Sequence, residues 1–189
     1  MARIADVGHQ DFETREAEME NLNLVHRSID FEKDRDYILE CHCRINYACE
    51  SAWAREISYS DYRSEWFSLT SQVSGFYGYL ERTAQDEHSI AEIIETEDGR
   101  IVGYLWTTFC RDEESGFCFV EIQEIYIEEE FRRHGAATRL YEYVELKARR
   151  SGAKVIRAGT GLCNRASVQM HERLGFVPYR YEFEKVLSK

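Results

Sequence analysis

Apolar side chains in the N-terminal half of the chain recur at intervals of three and four residues, as they do on one face of an α-helix. The pattern predicts a first helix from Asp34 to about Ser51 and a second from Ser60 to about Arg82. Residues 1–30 show no sustained period, so we interpret them as an N-terminal extension. The apolar positions are Tyr37, Ile38, Cys41, Ile45, Ala48 and Cys49 in the first helix, and Tyr62, Trp66, Leu69, Val73, Phe76, Tyr77 and Leu80 in the second.

The period then changes to the alternation that is typical of β-strands. Residues 89–110 contain two β-rich runs around Asp98-Gly99, a dipeptide that favours a tight hairpin turn. Residues 117–127 form a third run, rich in aromatic and branched side chains. This part of the chain is therefore predicted to be an antiparallel sheet.

Helices and strands alternate in the last third of the sequence. We expect a helix from Gly135 to Gly152, a strand over residues 154–159 and a short helix from Asn164, its N-cap, to Gly175. The alternation from Tyr179 to Val186 predicts a last strand. The sequence shows no repeat and no linker, so we expect a single α/β domain over residues 1–189, with a mixed and mostly antiparallel sheet flanked by helices.

Charge and hydropathy exclude several classes of protein. The formal net charge of −11 opposes extended contact with nucleic acid or anionic lipid. No apolar run has the length that a membrane span requires, and the acidic amino terminus does not resemble a signal peptide. We therefore predict a cytoplasmic protein that binds neither nucleic acid nor membrane.

The cysteines show no pattern typical of a metal site. No pair has the C-x-x-C spacing, so we expect reduced thiols in a cytosolic protein and no zinc or other metal. The six positions are Cys41, Cys43, Cys49, Cys110, Cys118 and Cys163.

The most informative segment joins the third predicted strand to the next helix. Arg132-Arg133-His134-Gly135-Ala136-Ala137 places small residues and two arginines at a helix start. The first N–H groups of a helix have no internal partner and the helix dipole favours negative charge there, so this segment suits a pyrophosphate. Thr138 offers a further hydroxyl. The alternative interpretation is an ordinary basic helix start.

This segment resembles the acetyl-CoA pyrophosphate signature of the GNAT superfamily of N-acetyltransferases, Q/R-x-x-G-x-G/A. A second motif, residues 164–176, is similar to the family's N-x-x-A-x-x-L-Y-E-K-L-G-F helix. The resemblance extends over residues 90–187. It implies a GNAT fold, in which a splayed central strand pair holds acetyl-CoA as cosubstrate.

The resemblance also implies positions for the cofactor. The backbone of Ile125, Tyr126 and Ile127 would pair with the pantetheine amides as if with another strand. Asn164 corresponds to a residue that binds the pantetheine arm. The pyrophosphate would lie against Arg132, Arg133, His134, Gly135, Ala136, Ala137 and Thr138.

Three residues are candidates for proton transfer. In this family a free amine attacks the thioester, so a base must first remove a proton from the acceptor's ammonium group. Glu121 and Glu124 are the candidate bases. They lie on opposite faces of an unbulged strand, but a bulge, which is common in this family, could bring either one inward. Glu121, at the offset of the family's histone-type glutamate, is slightly preferred. His171 stands where the family usually has the tyrosine that protonates the departing thiolate, and a bystander role stays open for it.

We expect an acetyl-CoA-dependent N-acetyltransferase whose acceptor is a primary amine of a small molecule, such as an amino-acid-like compound or a polyamine. Two alternatives stay open: an N-acetyltransferase acting on a protein or peptide, and a catalytically silent acyl-CoA sensor. The sequence also leaves a homodimer open.

Overall fold

The computed structural model describes residues 23–49, 54 and 56–185. Its centre is a five-stranded sheet in which the strands stand in sequence order. The strands are β1 (Leu24–Ser28), β2 (Ile90–Thr96), β3 (Ile101–Arg111), β4 (Cys118–Ile127) and β5 (Val155–Ala158). Strands β1 to β4 pair antiparallel and β5 pairs parallel to β4. The predicted mixed, mostly antiparallel sheet is confirmed.

Helices cover both faces of this sheet. Three lie between β1 and β2: α1 (Arg35–Cys49), α2 (Tyr59–Ser68) and α3 (Thr70–Thr83). Helix α4 (Ala136–Arg150) connects β4 to β5, and α5 (Arg165–Arg173) follows β5. A 3-10 turn over Glu129–Phe131 leads from β4 towards α4.

Strands β4 and β5 separate halfway along β4. Their pairing runs from Phe119 opposite Val155 to Ile122 opposite Ala158, while β4 continues to Ile127. The last part of β4 therefore pairs only with β3. This is the splayed strand pair that the resemblance implied.

Each face of the sheet has its own apolar core, because successive side chains of a strand point to opposite faces. One core joins the sheet to α1, α2 and α3, and the other joins it to α4. The first includes Ile38, Leu39, Trp66, Val73, Tyr77, Leu80, Tyr104 and Trp106, and the second includes Ile94, Val102, Leu105, Ile122, Leu140 and Val144.

The second predicted helix was wrong in its continuity. The segment forms two helices that meet at Leu69, whose backbone angles of −83° and 67° are not helical. Trp66 and Val73 are buried, whereas Leu69 is 41% exposed. A single straight helix would have placed all three on one stripe. The break turns Leu69 outward and lets the two helices pack separately.

Strand β1 was missed, because five residues are too short for a clear period. Arg27 ties this strand to its surroundings through ion pairs with Asp34 at 2.6 Å and Glu95 at 2.7 Å. Interpreting residues 1–30 as an extension was therefore wrong for Leu24–Ser28. Residues 1–22 lie outside the described part of the chain.

The predicted strand from Tyr179 to Val186 is wrong for its described residues, which adopt no regular structure up to Lys185. Tyr179, Tyr181 and Phe183 are 62%, 70% and 94% exposed. Alternation marks one face of a potential strand, but a strand forms only where its backbone pairs. Val186 lies outside the described residues.

Candidate active site

The site is built around the free side of β4 and the turn that follows it. Beyond Ile122, one side of β4 has no neighbouring strand, because β5 ends there. This open side exposes those backbone groups of Ile125, Tyr126 and Ile127 that point away from β3. An extended ligand with amide groups can pair with such a strand edge. The three residues that the resemblance assigned to pantetheine are therefore placed at an open edge.

The turn after β4 has an unusual backbone. Arg133 has a φ of 68° and Gly135 a φ of 79°, both in the left-handed region that side chains disfavour. The buried ring of Phe131 holds the start of the turn, and the Arg132 Nε donates to the Ile127 carbonyl at 2.8 Å. These contacts fix the path of the chain into α4.

This path forms a candidate anion cradle at the start of α4. The first hydrogen bond into the turn is from the Arg139 N–H to the Gly135 carbonyl, at 3.0 Å. The N–H groups of Ala136, Ala137 and Thr138 precede it and have no acceptor inside the helix. A Cβ at Gly135 would meet no protein atom within 4 Å, so there is space beside these donors.

The positive side chains of the turn lie at its surface. Arg132 and Arg133 are exposed and His134 is half-buried, while the Ala136 side chain is buried in the core under the helix. The turn thus combines free N–H groups, a helix dipole, two guanidinium groups and open space. This combination fits the pyrophosphate of coenzyme A.

A bulge in β4 brings both candidate carboxylates to one face of the sheet. Ile122 pairs with Thr107 and Glu124 pairs with Trp106, which leaves Gln123 as the extra residue. Glu121 pairs with Thr108, two positions from Trp106 on β3. Partners of residues two apart share a face, so Glu121 and Glu124 both point towards the helices α1 to α3.

Glu124 is the more unusual of the two carboxylates, because it is only 7% exposed. Its Oε1 makes a short hydrogen bond with the Nδ1 of His42, and its Oε2 has no hydrogen-bond partner among the described residues. Burial raises the pKa of Glu124 above its usual value, and the hydrogen bond from His42 opposes that rise. A buried carboxylate with a raised pKa and a free oxygen is suited to accept a proton.

Glu121 has a different environment. It is half-buried, and its Oε2 accepts from the Nε2 of Gln123 at 3.2 Å. The same amide nitrogen donates to the Thr108 hydroxyl at 2.9 Å. Glu121 is thus already hydrogen-bonded within the bulge.

His42 was not predicted from the sequence. It lies on α1, its ring stacks on Phe76 with centroids 3.6 Å apart, and Trp66 lies at 5.1 Å. Its Nε2 is 2.9 Å from the Nδ2 of Asn46. The only local signal is the spacing of four residues between His42 and Asn46, which puts both side chains on one helix face.

His171 lies on α5, away from the two carboxylates along the chain and without a hydrogen bond to either. Its Nδ1 is 2.8 Å from the Ser167 carbonyl and its Nε2 is 2.7 Å from the Tyr141 hydroxyl. A carbonyl only accepts, so Nδ1 carries the proton and Nε2 accepts from Tyr141. Burial lowers the pKa of His171, which favours this neutral ring.

Asn164 caps α5, as predicted: its Oδ1 accepts from the Ser167 N–H at 3.3 Å. Its Nδ2 points to the Cys49 sulfur at 3.7 Å. Nearby, a Cβ at Gly161 would lie 2.1 Å from the Cys49 carbonyl oxygen, so the loop before α5 packs tightly on the end of α1. The predicted role of Asn164 in holding pantetheine stays a prediction.

Metal-ligating side chains do not cluster in the part of the chain that the structure describes. No group of three or more His, Cys, Asp or Glu side chains there could hold a metal ion. Within the same residues, no helix combines the length and apolar character that crossing a bilayer requires.

Comparisons with known proteins bear on the fold and the family. At the level of sequence, no curated protein matches the chain. Among solved structures, a Pyrococcus furiosus protein assigned as an acetyl transferase has a TM-score of 0.62 at 21% identity, covering 87% of this chain and 100% of its own.

Two further solved structures share the fold, with similar TM-scores and sequence identities. AAC(6')-Iy, in complex with the bisubstrate analogue CoA-S-monomethyl-acetylneamine, has a TM-score of 0.55 at 17% identity and covers 88% of this chain and 99% of its own. An aminoglycoside acetyltransferase from an uncultured soil metagenomic sample has a TM-score of 0.55 at 19% identity, with 89% and 99% covered.

The profile of the Acetyltransferase (GNAT) family matches residues 52–176, which include β2 to β5, the anion cradle and α5. The strand edge, the cradle and this match lead to one conclusion: the chain belongs to the GNAT family of acetyltransferases.

Proposed function

We propose that this protein transfers an acetyl group from acetyl-CoA to a primary amine of a small molecule, with Glu124 as the base. One observation carries the proposal: the Oε2 of this buried carboxylate has no hydrogen-bond partner among the described residues. It lies on the same strand whose open edge leads to the anion cradle.

The chain's own groups would hold the cosubstrate at two places. The cradle from Arg132 to Thr138 would bind the pyrophosphate, and the free edge of Ile125 to Ile127 would pair with the pantetheine amides. Bound acetyl-CoA supplies the acetyl group as a thioester that an amine can attack. Since Glu124 and Ile125 are neighbours on β4, the base lies next to the strand edge where the acyl arm would run.

The amine must lose a proton before it can attack. An ammonium group has no lone pair, so the Oε2 of Glu124 would accept its proton and release the nucleophile. The new C–N bond then replaces the C–S bond, and the thiolate leaves with a proton. We propose His171, or water in its place, as the source of that proton. Because His171 is neutral in its present hydrogen bonds, it would have to gain a proton on Nε2 first.

The acceptor would approach from the face of α1 to α3, towards which Glu124 points. This face is rich in aromatic rings: Phe76 is half-buried between His42 and Trp106, and Phe67 packs against Trp66. Aromatic faces attract ammonium groups, and the net charge of −11 attracts cations at longer range. Two structural neighbours are aminoglycoside acetyltransferases, which favours an amine-rich small molecule here too.

A thiol-release assay tests the proposed function. The purified protein is incubated with acetyl-CoA and a panel of about a hundred amines that includes polyamines, amino acids, aminoglycosides and lysine peptides. We expect release of the CoA thiol that depends on a small amine. Release with lysine peptides alone would favour the peptide alternative, and CoA binding without release with any amine would favour the sensor.

A further inference from the structure

The hydrogen bond between His42 and Glu124 joins residues 82 positions apart in the sequence. Only 14% of the His42 side chain and 6% of the Glu124 side chain are exposed, so this contact is largely shielded from water. The two carboxylate oxygens of Glu124 are therefore not equivalent, because Oε1 is hydrogen-bonded and Oε2 is not. The paired oxygen fixes the orientation in which the free oxygen points.

Asn46 determines which nitrogen of His42 carries the proton. The amide nitrogen of Asn46 is a donor, so the Nε2 that faces it accepts and Nδ1 carries the hydrogen. This tautomer donates from Nδ1 to Glu124. A histidine's second nitrogen commonly sets the proton position on the first in this way.

Aromatic rings prevent His42 from rotating away. Phe76 stacks on the ring at an interplanar angle of 21°, and Trp66 flanks it at 58°. The imidazole therefore stays in the plane from which Nδ1 reaches the carboxylate.

Other titratable groups on this face of the sheet include Glu121, which is hydrogen-bonded to Gln123, Tyr126 on β4 and the thiol of Cys41 on α1. Burial raises the pKa of Cys41, so that thiol stays neutral. On β3, Trp106 faces Glu124 and carries no charge. Burial raises the pKa of Glu124, and His42 is the side chain whose hydrogen bond opposes that rise.

We propose that His42, held in one tautomer by Asn46, is a positioning residue that occupies Oε1 of Glu124 and directs Oε2 to the proton of the acceptor amine. This proposal rests on the proposed function in one respect: that the proton comes from an acceptor amine. The contact between the three side chains does not depend on it.

Two substitutions should move the proton affinity of Glu124 in opposite directions. His42→Phe keeps a ring on Phe76 but removes the donor, so the ionised carboxylate loses the hydrogen bond to its Oε1 and its pKa should rise by about one unit or more. Asn46→Asp offers an acceptor to Nε2 and favours a second proton on the ring. The positive ring should then lower the pKa of Glu124.

Carbon-13 NMR of protein labelled at glutamate carboxyls measures this pKa without any reaction, and Glu124→Gln identifies the resonance. The same variants are assayed for kcat/KM against pH. In His42→Phe the acid limb should move to higher pH, and at pH values below the limb kcat/KM should fall about tenfold for every pH unit that the limb has moved. Above the limb the rate should recover only in part, because Oε2 is no longer held in its orientation. Asn46→Asp should move the limb to lower pH, and His42→Gln, which keeps an amide donor, should lie closer to the parent.

A matched control exists at the β1 edge of the sheet. His26 also pairs with a glutamate, Glu92 at 2.8 Å, and also stacks on a ring, Tyr143 at 4.4 Å. His26→Phe removes an equivalent contact on a strand that does not pair with β4, and it should leave both the Glu124 resonance and the pH profile unchanged.

Failure of this inference and failure of the proposed function give different results. An unchanged Glu124 pKa in both His42→Phe and Asn46→Asp would overturn the inference, whatever the activity. A uniform loss of rate with no movement of the pH limb would reduce His42 to a purely structural role and would also overturn it. A changed pKa in a protein that acetylates no amine would uphold the pairing and contradict the proposed function instead.

Discussion

Glu121 and Glu124 lie on the same face of β4, but their surroundings differ. Glu121 accepts a hydrogen bond from the amide of Gln123 in the bulge, whereas Glu124 contacts the largely buried ring of His42. The sequence predicted that one of the two is the base, with a slight preference for Glu121. We propose Glu124 instead, because its buried Oε2 has no hydrogen-bond partner among the described residues.

We therefore expect Glu124→Gln to lower kcat/KM by about 10²-fold or more, the usual contribution of a general base, with little change in acetyl-CoA affinity. Glu121→Gln should have the smaller effect. Steady-state kinetics together with calorimetric titration of CoA measure both quantities. A larger loss in Glu121→Gln would return the assignment to Glu121.

His171 makes folding stability depend on pH. Because burial lowers its pKa, the folded state binds fewer protons than the unfolded state. This contribution to the free energy of unfolding is fully present above the unfolded pKa of about 6.5 and is lost as the pH falls through the lower folded pKa. Denaturant unfolding of the parent between pH 8 and pH 5 should show the decline.

His171→Phe should remove that part of the decline, but it leaves the buried Tyr141 hydroxyl without its acceptor, at a cost of about 1–3 kcal/mol at pH 8. Adding Tyr141→Phe removes both polar partners and should recover part of the cost. A single variant as stable as the parent, with the same pH dependence, would show that this pair does not contribute in the way described.

At the scale of elements, the parts predicted well are those with a strong local signal. The hairpin turn at Asp98-Gly99 and the N-cap of α5 follow from residue preferences and short periods. Strand β1 and the unpaired segment after Pro178 were predicted wrongly because pairing with a distant strand decides their state. The break at Leu69 depends on packing, and the sequence there contains no glycine or proline from which it could have been predicted.

The start of α4 gives a prediction about cofactor binding. Gly135→Glu places bulk and negative charge in the open space beside the free N–H groups, so CoA binding should be lost. Gly152→Glu is the matched control at the other end of the same helix, where the glycine also has a φ of 79° and open space. It carries the same backbone strain without touching the cradle. Calorimetry that found equal CoA affinity in both variants would contradict the cradle.

The close approach of β3 and β4 gives a prediction about stability. A Cβ at Gly103 would lie 1.9 Å from the Tyr126 carbonyl oxygen, a backbone atom that cannot move aside without disturbing the strand. Gly103→Ala should cost at least about 2 kcal/mol. By contrast, Gly75 is exposed inside α3 with no atom near its missing Cβ, so Gly75→Ala should add about 0.5–1 kcal/mol. Urea unfolding compares them, and equal stabilities would refute the steric argument.

At the scale of the whole molecule, the family could be predicted because its motifs are contiguous in sequence. The residue that completes the proposed base could not, because His42 and Glu124 meet only when α1 packs on β4. A lone histidine on an amphipathic helix gives no sign of its partner. The chemistry that we propose for this chain therefore depends on a long-range contact, whereas its family is indicated by local patterns.

Acetyl transfer itself can be followed with isotopically labelled acetyl-CoA and a small primary amine, by mass spectrometry of the amine product. We expect labelled product with the parent protein, in the presence of a metal chelator as well as without it, since the cradle needs no bridging ion. Gly135→Glu should give no product at the same acetyl-CoA concentration. Absence of labelled amine with the parent, or formation that requires a divalent cation, would contradict the proposed acetyl transfer.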